Sequence, residues 1–397
     1  IGLPRLRLPS RNWMIFLSVT GGFASAVAYD RYQVRQAREK WCQLVAPIAK
    51  ETLGVHQMPR RMTIYLAAPP GDGLRYAREH FHSYIKPVLV AAAMDWDVVE
   101  GRREGDVRFK TAERVRKQRR RSGEGQQHLQ GDKETDVITV EALRQSRGIT
   151  EWEGLAGDLV VGRHTWKEYV RGLHEGWLGP VDAPSNSEPQ QQVGMPSIDD
   201  PETSGEVDQK AFESNQETGP STGSPPAAPP SADEEKGEEK PEPRHPPPYI
   251  QPEQYASATS SKHIPDIIGP TVGLEMPHLL GFRNTPVRIY RFLNRRHLAN
   301  SIGRDVAAAV LASHRPFSVK TRSDESSMIS EDGQVNEICT VLEHEEGNWW
   351  KKTVHREREP NEESVWIEKM SLDERLANRM TAFQLSAEDA DRAERMA

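Results

Sequence analysis

The sequence predicts an α/β protein in which one N-terminal transmembrane helix precedes a mainly parallel α/β domain that a long disordered insert interrupts. Three observations predict this class. An uncharged apolar run lies near the start, strand-like runs then alternate with amphipathic helical patterns, and a proline- and acid-rich region divides these patterns. With 36% hydrophobic and 28% charged residues, the chain of 397 residues is too polar for one packed globule. Its net charge of −7 argues against a general nucleic-acid-binding protein.

The uncharged run covers residues 13–29. A helix of this length spans roughly 25 Å, the lower end of what a bilayer core requires. We predict a transmembrane helix here, after a terminal segment at residues 1–12 and before a connecting helix at residues 30–60. Small residues at four-residue spacing would let a neighbouring helix approach closely, namely Ser18, Gly21, Gly22, Ser25 and Ala26. The alternative is a secretory signal peptide with a cleavage site at Ala26-x-Ala28.

The first part of the α/β domain covers residues 61–181. Apolar runs predict strands at residues 62–68, 96–101 and 157–162. Each strand precedes a helical pattern, and the apolar faces of the first and third helices are Leu74, Ala77, Phe81, Ile85, Val88 and Leu89, and Trp166, Tyr169, Val170, Leu173 and Trp177. A basic helix beginning at Asp106 follows the second strand. Strands that alternate with such helices indicate a parallel sheet covered on both faces.

The second part covers residues 263–397. Here we predict a fourth strand at residues 286–293, followed by a helix that carries Leu298, Ile302 and Val306. A capping-box pattern at Ser371 and Glu374 predicts a last helix, whose apolar stripe is Leu372, Leu376, Met380 and Phe383.

Between the two parts, residues 182–262 hold 15 of the 29 prolines and an acidic run, "SADEEKGEEKPEP". Proline removes hydrogen-bond donors and the acids repel one another, so we predict a disordered insert. Its segment "HPPPYI" could be a polyproline docking motif, although a plain spacer is the favoured interpretation.

Candidate chemical sites are few. The loop at residues 69–73 joins a strand to a helix, where backbone N–H groups often hold phosphate. Two of its residues are prolines and no Lys-Ser/Thr pair follows, so we favour a tight turn. The two cysteines, Cys42 and Cys339, are far apart, and no Cys/His spacing indicates a metal site. We predict no catalytic, cofactor or metal residues.

Three segments carry a specific resemblance over residues 8–108, namely "LPSRNWMIFLSVTGGFASAVAYDR", "REKWCQLVAPIAKE" and "IYLAAPPGDGLRYAREHFHSYIKPVLVAAAMDWDVVEGRREGDVR". The chain resembles the family of fifty-four-kilodalton Tim subunits of the fungal mitochondrial carrier translocase. That resemblance implies a single-pass protein of the mitochondrial inner membrane, with its N-terminus in the matrix and its bulk in the intermembrane space. It implies a non-catalytic subunit of the machine that inserts multi-pass carriers. Its expected role is to stabilise the complex and to link the channel-forming subunit with the small Tim chaperones.

The α/β domain also resembles the catalytic domain of diacylglycerol-type lipid kinases at low identity. Kinases of that family follow the third strand with Gly-Gly-Asp-Gly-Thr, where this chain has Gly162, Arg163, His164 and Thr165. Their next loop, Gly-Thr-Gly-Asn-Asp-Leu-Ala, corresponds to a stretch that includes Arg295, Arg296 and His297. The loop after the first predicted strand, at residues 69–73, keeps two glycines, Gly71 and Gly73.

These replacements add bulk and remove acidic metal ligands, so the resemblance implies a kinase-like scaffold without activity or cofactor. The new arginines could instead meet an anionic lipid of the inner membrane, with cardiolipin as the candidate. The alternative functions are an active lipid kinase that uses ATP and Mg²⁺, and a secreted binding domain released by signal cleavage.

Overall fold

The described chain starts with one long helix, α1 (Arg11–Val45). The computed structural model describes residues 10–125, 142–144, 146–150, 152, 154, 156–183, 245–317 and 372–396. The predicted boundary at residue 30 is not a break, because the helix continues through it to Val45. Its first half exposes large apolar side chains, among them Trp13, Phe16 and Phe23, whereas its second half buries Trp41 and Leu44.

The predicted transmembrane helix is not supported. Across the described ranges, no helix combines the length and the apolar character that a membrane crossing requires. Glycine, serine and threonine residues lower the hydropathy of the run, and charged side chains follow from Asp30 onward. Gly21 and Gly22 have open space where a Cβ would lie, and the Ser18 hydroxyl bonds to the Met14 carbonyl. The role of these small residues in helix packing stays a prediction.

The sheet confirms a mainly parallel α/β protein. Its six described strands are β1 (Arg61–Ala67), β2 (Asp95–Gly101), β3 (Asp158–Val161), β4 (Ile268–Leu274), β5 (His314–Pro316) and β6 (Met380–Phe383). They lie in the order β2-β1-β3-β4-β6-β5, and every neighbouring pair is parallel except β5 and β6. The first three predicted strands therefore correspond to β1, β2 and β3.

Helices cover both faces of the sheet. The first part contributes α2 (Leu74–His80), a π-helical turn (Phe81–Ile85), α3 (Lys86–Ala91), α4 (Asp106–Arg121) and α5 (Arg163–Leu178). Alternating residues of β1 divide the core. Ile64 packs in the cluster that contains Trp41 of α1, and Tyr65 packs in the cluster that contains Trp166 of α5.

The predicted strand at residues 286–293 is wrong. This segment forms the helix α6 (Thr285–Phe292), and α7 (Arg295–Val310) follows almost at once. Pro286 explains the error, because proline interrupts the ladder of a central strand but suits the first turn of a helix. The fourth parallel strand is β4, which the sequence analysis did not identify.

The predicted last helix is also largely wrong. Only α8 (Glu374–Ala377) is helical, after which β6 pairs with β4, and α9 (Ala387–Arg395) follows. Asp373 caps α8, since its Oδ1 accepts the Arg375 N–H at 2.9 Å. Ser371, the predicted cap, lies outside the described residues. Met380 and Phe383 are buried as strand residues, because the sheet offers a ladder that a helix end does not.

The second half of α1 is tied to α7 by packing and by hydrogen bonds. Trp41 packs onto Gly303, where a Cβ would lie 2.3 Å from the indole Cδ1. The Trp41 Nε1–H donates to Asn300 Oδ1 at 3.1 Å. The buried Asp30 accepts the backbone N–H of Arg296, in the first turn of α7, at 3.2 Å. These contacts fix α1 to the α/β domain.

Helices α4 and α5 approach closely around a buried charge cluster. A Cβ at Gly176 would lie 2.5 Å from the Val115 Cβ, so glycine is needed where the helices cross. Glu175 of α5 accepts hydrogen bonds from Arg108 and Arg116 of α4, at 2.5 Å from the Arg116 Nη2. The side chains of Arg108, Arg116 and Glu175 are only 1%, 0% and 2% exposed.

The predicted insert ends earlier than residue 262. Residues 184–244 lie outside the described residues, whereas residues 245–262 pack against α4 and α5. Ile250 and Tyr255 are buried, and the Tyr249 ring lies 3.8 Å from the Arg116 guanidinium. The "HPPPYI" segment is therefore seated on its own domain, because its apolar and aromatic residues complete that surface.

Candidate functional site

Two loops meet at the carboxyl edge of the parallel sheet, where α/β proteins bind ligands. The loop after β1 contains Gly71, Asp72 and Gly73, and the loop after β4 contains Pro277 and His278. Asp72 Oδ2 lies 2.7 Å from His278 Nε2. The Asp72 N–H donates to the Pro69 carbonyl at 3.1 Å, which is the tight turn that the sequence favoured. Gly71 has a φ of +81°, and Gly73 is the residue before α2.

A cavity of about 730 Å³ opens beside these loops. One wall is formed by α2 and the π-helical turn through Tyr76 and Tyr84, and the opposite wall by α6 through Ile289 and Phe292. Phe23, from the exposed first half of α1, also lines the cavity. Aromatic and aliphatic walls of this kind suit the hydrocarbon part of a ligand.

Three arginines line the same cavity, namely Arg288 and Arg291 of α6 and Arg295 of α7. The Arg295 guanidinium stands 4.5 Å from the Phe292 ring centroid. His80, on the α2 wall, is buried, and burial lowers its pKa to about 4 although a backbone contact with Glu275 acts in the opposite direction. The imidazole is therefore neutral at pH 7. The charged side chains of the lining include the three arginines together with Asp72 and Glu79.

The predicted kinase-like loop after β3 is filled by protein atoms. Gly162 has a φ of +87°, and a Cβ there would lie 2.9 Å from the Met276 Cε. Arg163, His164 and Thr165 are all buried at the start of α5. Burial, together with the nearby Arg163 charge, holds the pKa of His164 well below its usual value. Met276 thus packs directly against Gly162, whose N–H donates to the Leu274 carbonyl at 2.8 Å.

The second kinase-like stretch was expected to follow a strand at residues 286–293. That expectation is wrong, because the preceding segment is a helix. Arg295, Arg296 and His297 form the first turn of α7 and come directly after the helix α6. Arg296 is held by the Asp30 carboxylate of α1, with its Nη1 at 3.6 Å. Of the arginines at kinase-like positions, Arg295 lines the cavity and Arg163 does not. The loop that contains Gly71 and Gly73 borders the cavity through Asp72.

The site combines charged side chains with apolar surface. Within the described ranges, no group of three or more His, Cys, Asp or Glu side chains is arranged to hold a metal ion. Asp72 and His278 join two loops, and Tyr76 adds a second link through a 2.8 Å hydrogen bond from its hydroxyl to the Pro277 carbonyl. This geometry suits binding of an anionic amphiphile.

The family model for "Inner membrane protein import complex subunit Tim54" matches residues 1–383. The chain belongs to the Tim54 family. Among its relatives, a protein of Aspergillus oryzae is 48% identical, with the alignment covering 99% of this chain and 88% of the relative. A protein of Neurospora crassa is 46% identical (100% and 82% covered), and one of Aspergillus fumigatus is 44% identical (96% and 89% covered).

All three relatives are named mitochondrial import inner membrane translocase subunit tim54. The Tim54 resemblance seen in the sequence is thus confirmed over the whole chain. The lipid-kinase alternative receives no support from these relatives, and the kinase-like scaffold stays a prediction.

Sequence reasoning missed two features of this Tim54 family member. The cavity wall α6 was assigned to a strand, although Asn284 and Thr285 before Pro286 are a helix-start signal. The glycine pair Gly172 and Gly176 on α5 was not recognised as a helix contact, although four-residue spacing of glycines predicts close approach.

Proposed function

We propose that the chain is a non-catalytic subunit of the mitochondrial inner-membrane translocase that inserts multi-pass carrier proteins. One observation carries this proposal: relatives aligned over nearly the whole chain are named as import translocase subunits of that membrane. The family model matches α1 and both parts of the α/β domain, so the similarity is not limited to a single motif.

The more specific role is to stabilise the complex and to link the channel-forming subunit with the small Tim chaperones of the intermembrane space. The fold suits such a link. The second half of α1 is locked to the domain through Trp41 and Asp30, while the first half presents exposed apolar side chains. One end of the chain can therefore meet an apolar environment while the α/β domain faces the intermembrane space.

The absence of catalysis is part of the proposal. The position of the lipid-kinase phosphate loop holds a buried Arg163 and His164, and Met276 closes the approach to Gly162. Phosphoryl transfer depends on a bound metal and on backbone groups that reach the phosphates. Purified protein should therefore transfer no phosphate from Mg-ATP to diacylglycerol, and measurable turnover would favour the alternative function.

Inner-membrane lipid is the further proposed neighbour, with cardiolipin as the candidate because its two phosphates match a cluster of arginines. Three arginines line the cavity, namely Arg288, Arg291 and Arg295. Of the arginines that the sequence analysis considered for lipid binding, Arg295 is in this lining, whereas Arg163 and Arg296 are not.

Mild-detergent purification of the tagged chain from mitochondria tests the main proposal. We expect the channel-forming subunit and the small Tim chaperones to co-purify, and carrier insertion to fall when the chain is depleted. Protease should reach the α/β domain only after the outer membrane is opened. Purification without either partner, together with normal carrier insertion after depletion, would contradict the proposed role.

A further inference from the structure

Helix α6 and the turn before it stand out from the domain. None of the eight residues of α6 is buried, and the turn places Phe282 at the surface with 92% of its area exposed. Tyr290 is 68% exposed. We call the following side chains the α6 surface: Phe282, Arg283, Val287, Arg288, Ile289, Tyr290 and Phe292.

An exposed cluster of this kind needs an explanation. Single exposed apolar residues are normal on a protein surface, but contiguous aromatic and aliphatic side chains mark a binding surface. Five of the seven residues of the α6 surface are apolar or aromatic, and all five are exposed. They therefore indicate an apolar partner.

The charge of this region selects the partner. Residues 281–303 contain five arginines and no acidic residue, in a chain whose net charge is −7. Arginines beside aromatic side chains on a short amphipathic helix are typical of elements that lie in the headgroup region of an anionic bilayer. A protein partner of this basic apolar surface would need matching acids and a shaped groove.

The position of α6 adds a second argument. Phe23 of α1 lines the same cavity as Ile289 and Phe292, so both exposed apolar regions border that cavity. Arg296, in the first turn of α7, stands 5.6 Å from the Tyr29 ring centroid of α1. The basic residues after α6 therefore lie beside the exposed half of α1.

We propose that the α6 surface lies in the headgroup region of an anionic phospholipid bilayer, with the Phe282 and Tyr290 rings inserted and Arg283 and Arg288 on the lipid phosphates. This rests on the proposed inner-membrane function. It gives the α/β domain a contact of its own with the membrane, and hence a preferred orientation towards it.

Vesicle flotation of the purified full-length chain tests the inference. The vesicles contain phosphatidylcholine alone or phosphatidylcholine with one-fifth cardiolipin. We expect the double variant Phe282→Ser/Tyr290→Ser to bind cardiolipin vesicles at least tenfold more weakly than the wild type, and Arg283→Gln/Arg288→Gln to lose most of the preference for cardiolipin. The matched control is Val55→Ser, which alters a side chain that is 95% exposed in another part of the chain and should leave binding unchanged.

Fluorescence quenching at single introduced tryptophans separates bilayer contact of the α6 surface from any contact made by α1. Phe282→Trp and Val55→Trp each add one tryptophan at an exposed site. With brominated lipids in the bilayer, we expect the fluorescence lost by Phe282→Trp to exceed that lost by Val55→Trp clearly. Thermal unfolding checks that all variants are folded.

The outcomes separate the inference from the proposed function. Equal quenching of the two tryptophan variants overturns the inference. Unchanged vesicle binding of Phe282→Ser/Tyr290→Ser also overturns it. Loss of a co-purifying subunit with unchanged vesicle binding also overturns it, because the surface would then dock a protein. The proposed function fails by a different result, namely recovery of the wild-type chain outside the inner-membrane fraction.

Discussion

The buried charge cluster between α4 and α5 allows a quantitative prediction for Glu175→Gln. The substitution keeps the shape of the side chain but removes the negative charge that two arginines share. Arg108 and Arg116 are almost fully buried, and Glu113, at 3.8 Å from the Arg116 Nη1, is half-exposed. Removing one partner of a buried ion pair costs about 3–5 kcal/mol, because the remaining charge stays desolvated.

For a folded unit of this size, 1 kcal/mol shifts the melting temperature by about 2–4 °C, so we expect Glu175→Gln to melt roughly 6–20 °C lower. Tryptophan fluorescence reports the transition, because Trp166 and Trp177 are buried on α5. The control is Glu79→Gln, which breaks the exposed Arg75–Glu79 pair and should change stability by less than about 0.5 kcal/mol.

A second variant distinguishes charge from packing. Replacing Arg108, Arg116 and Glu175 together with methionine removes the three charges of this cluster, so most of the lost stability should return. If Glu175→Gln melted within about 2 °C of the wild type, the reasoning that this cluster holds uncompensated buried charge would be refuted.

Three further changes test other parts of the structure. Gly303→Ala should cost about 1–3 kcal/mol in urea unfolding, because its Cβ would overlap Trp41, whereas Gly22→Ala meets open space and should not destabilise. Asp30→Ala should cost about 1–3 kcal/mol and speed amide exchange at the start of α7, where a backbone N–H loses its acceptor; unchanged exchange would contradict this. Burial lowers the pKa of His174 to about 4, below its unfolded value of about 6.5, so its neutral form stabilises the fold above pH 6.5. Stability should therefore fall by roughly 2 kcal/mol per such histidine between pH 7 and pH 5, and His174→Gln should show a smaller fall; an equal pH dependence would argue against the assignment.

The first three strands and their helices could be predicted because their signals are local. β1 and β3 are buried apolar runs, and the helices after them carry apolar stripes at helical spacing. β4 contains Gly269, Pro270 and Gly273, which disfavour a strand, and it forms because β3 pairs with it in register from Asp158 to Val161. That pairing is a tertiary effect, which a window of sequence does not contain.

The end of the chain shows how one spacing can fit two structures. Leu376, Met380 and Phe383 follow a helical period, yet the helix ends at Ala377 and the last two residues enter a strand. Met380 and Phe383 form a strand rather than a helix because β6 pairs with the edge of β4. The cavity could not be predicted for the same reason, because its walls include α6 and the loop after β4. Arg295 was singled out through the kinase resemblance, although its place in the cavity depends on the helix that precedes it.

The continuity of α1 has a mechanical consequence. Its 35 residues extend about 50 Å without a break, and the half that contacts α7 is held at Trp41 and Asp30. The helix is therefore continuous from its exposed end to the residues that contact α7. A tilt of the Trp13 end is transmitted to the α/β domain through this continuous helix, so a neighbour that binds the exposed end influences the orientation of the domain.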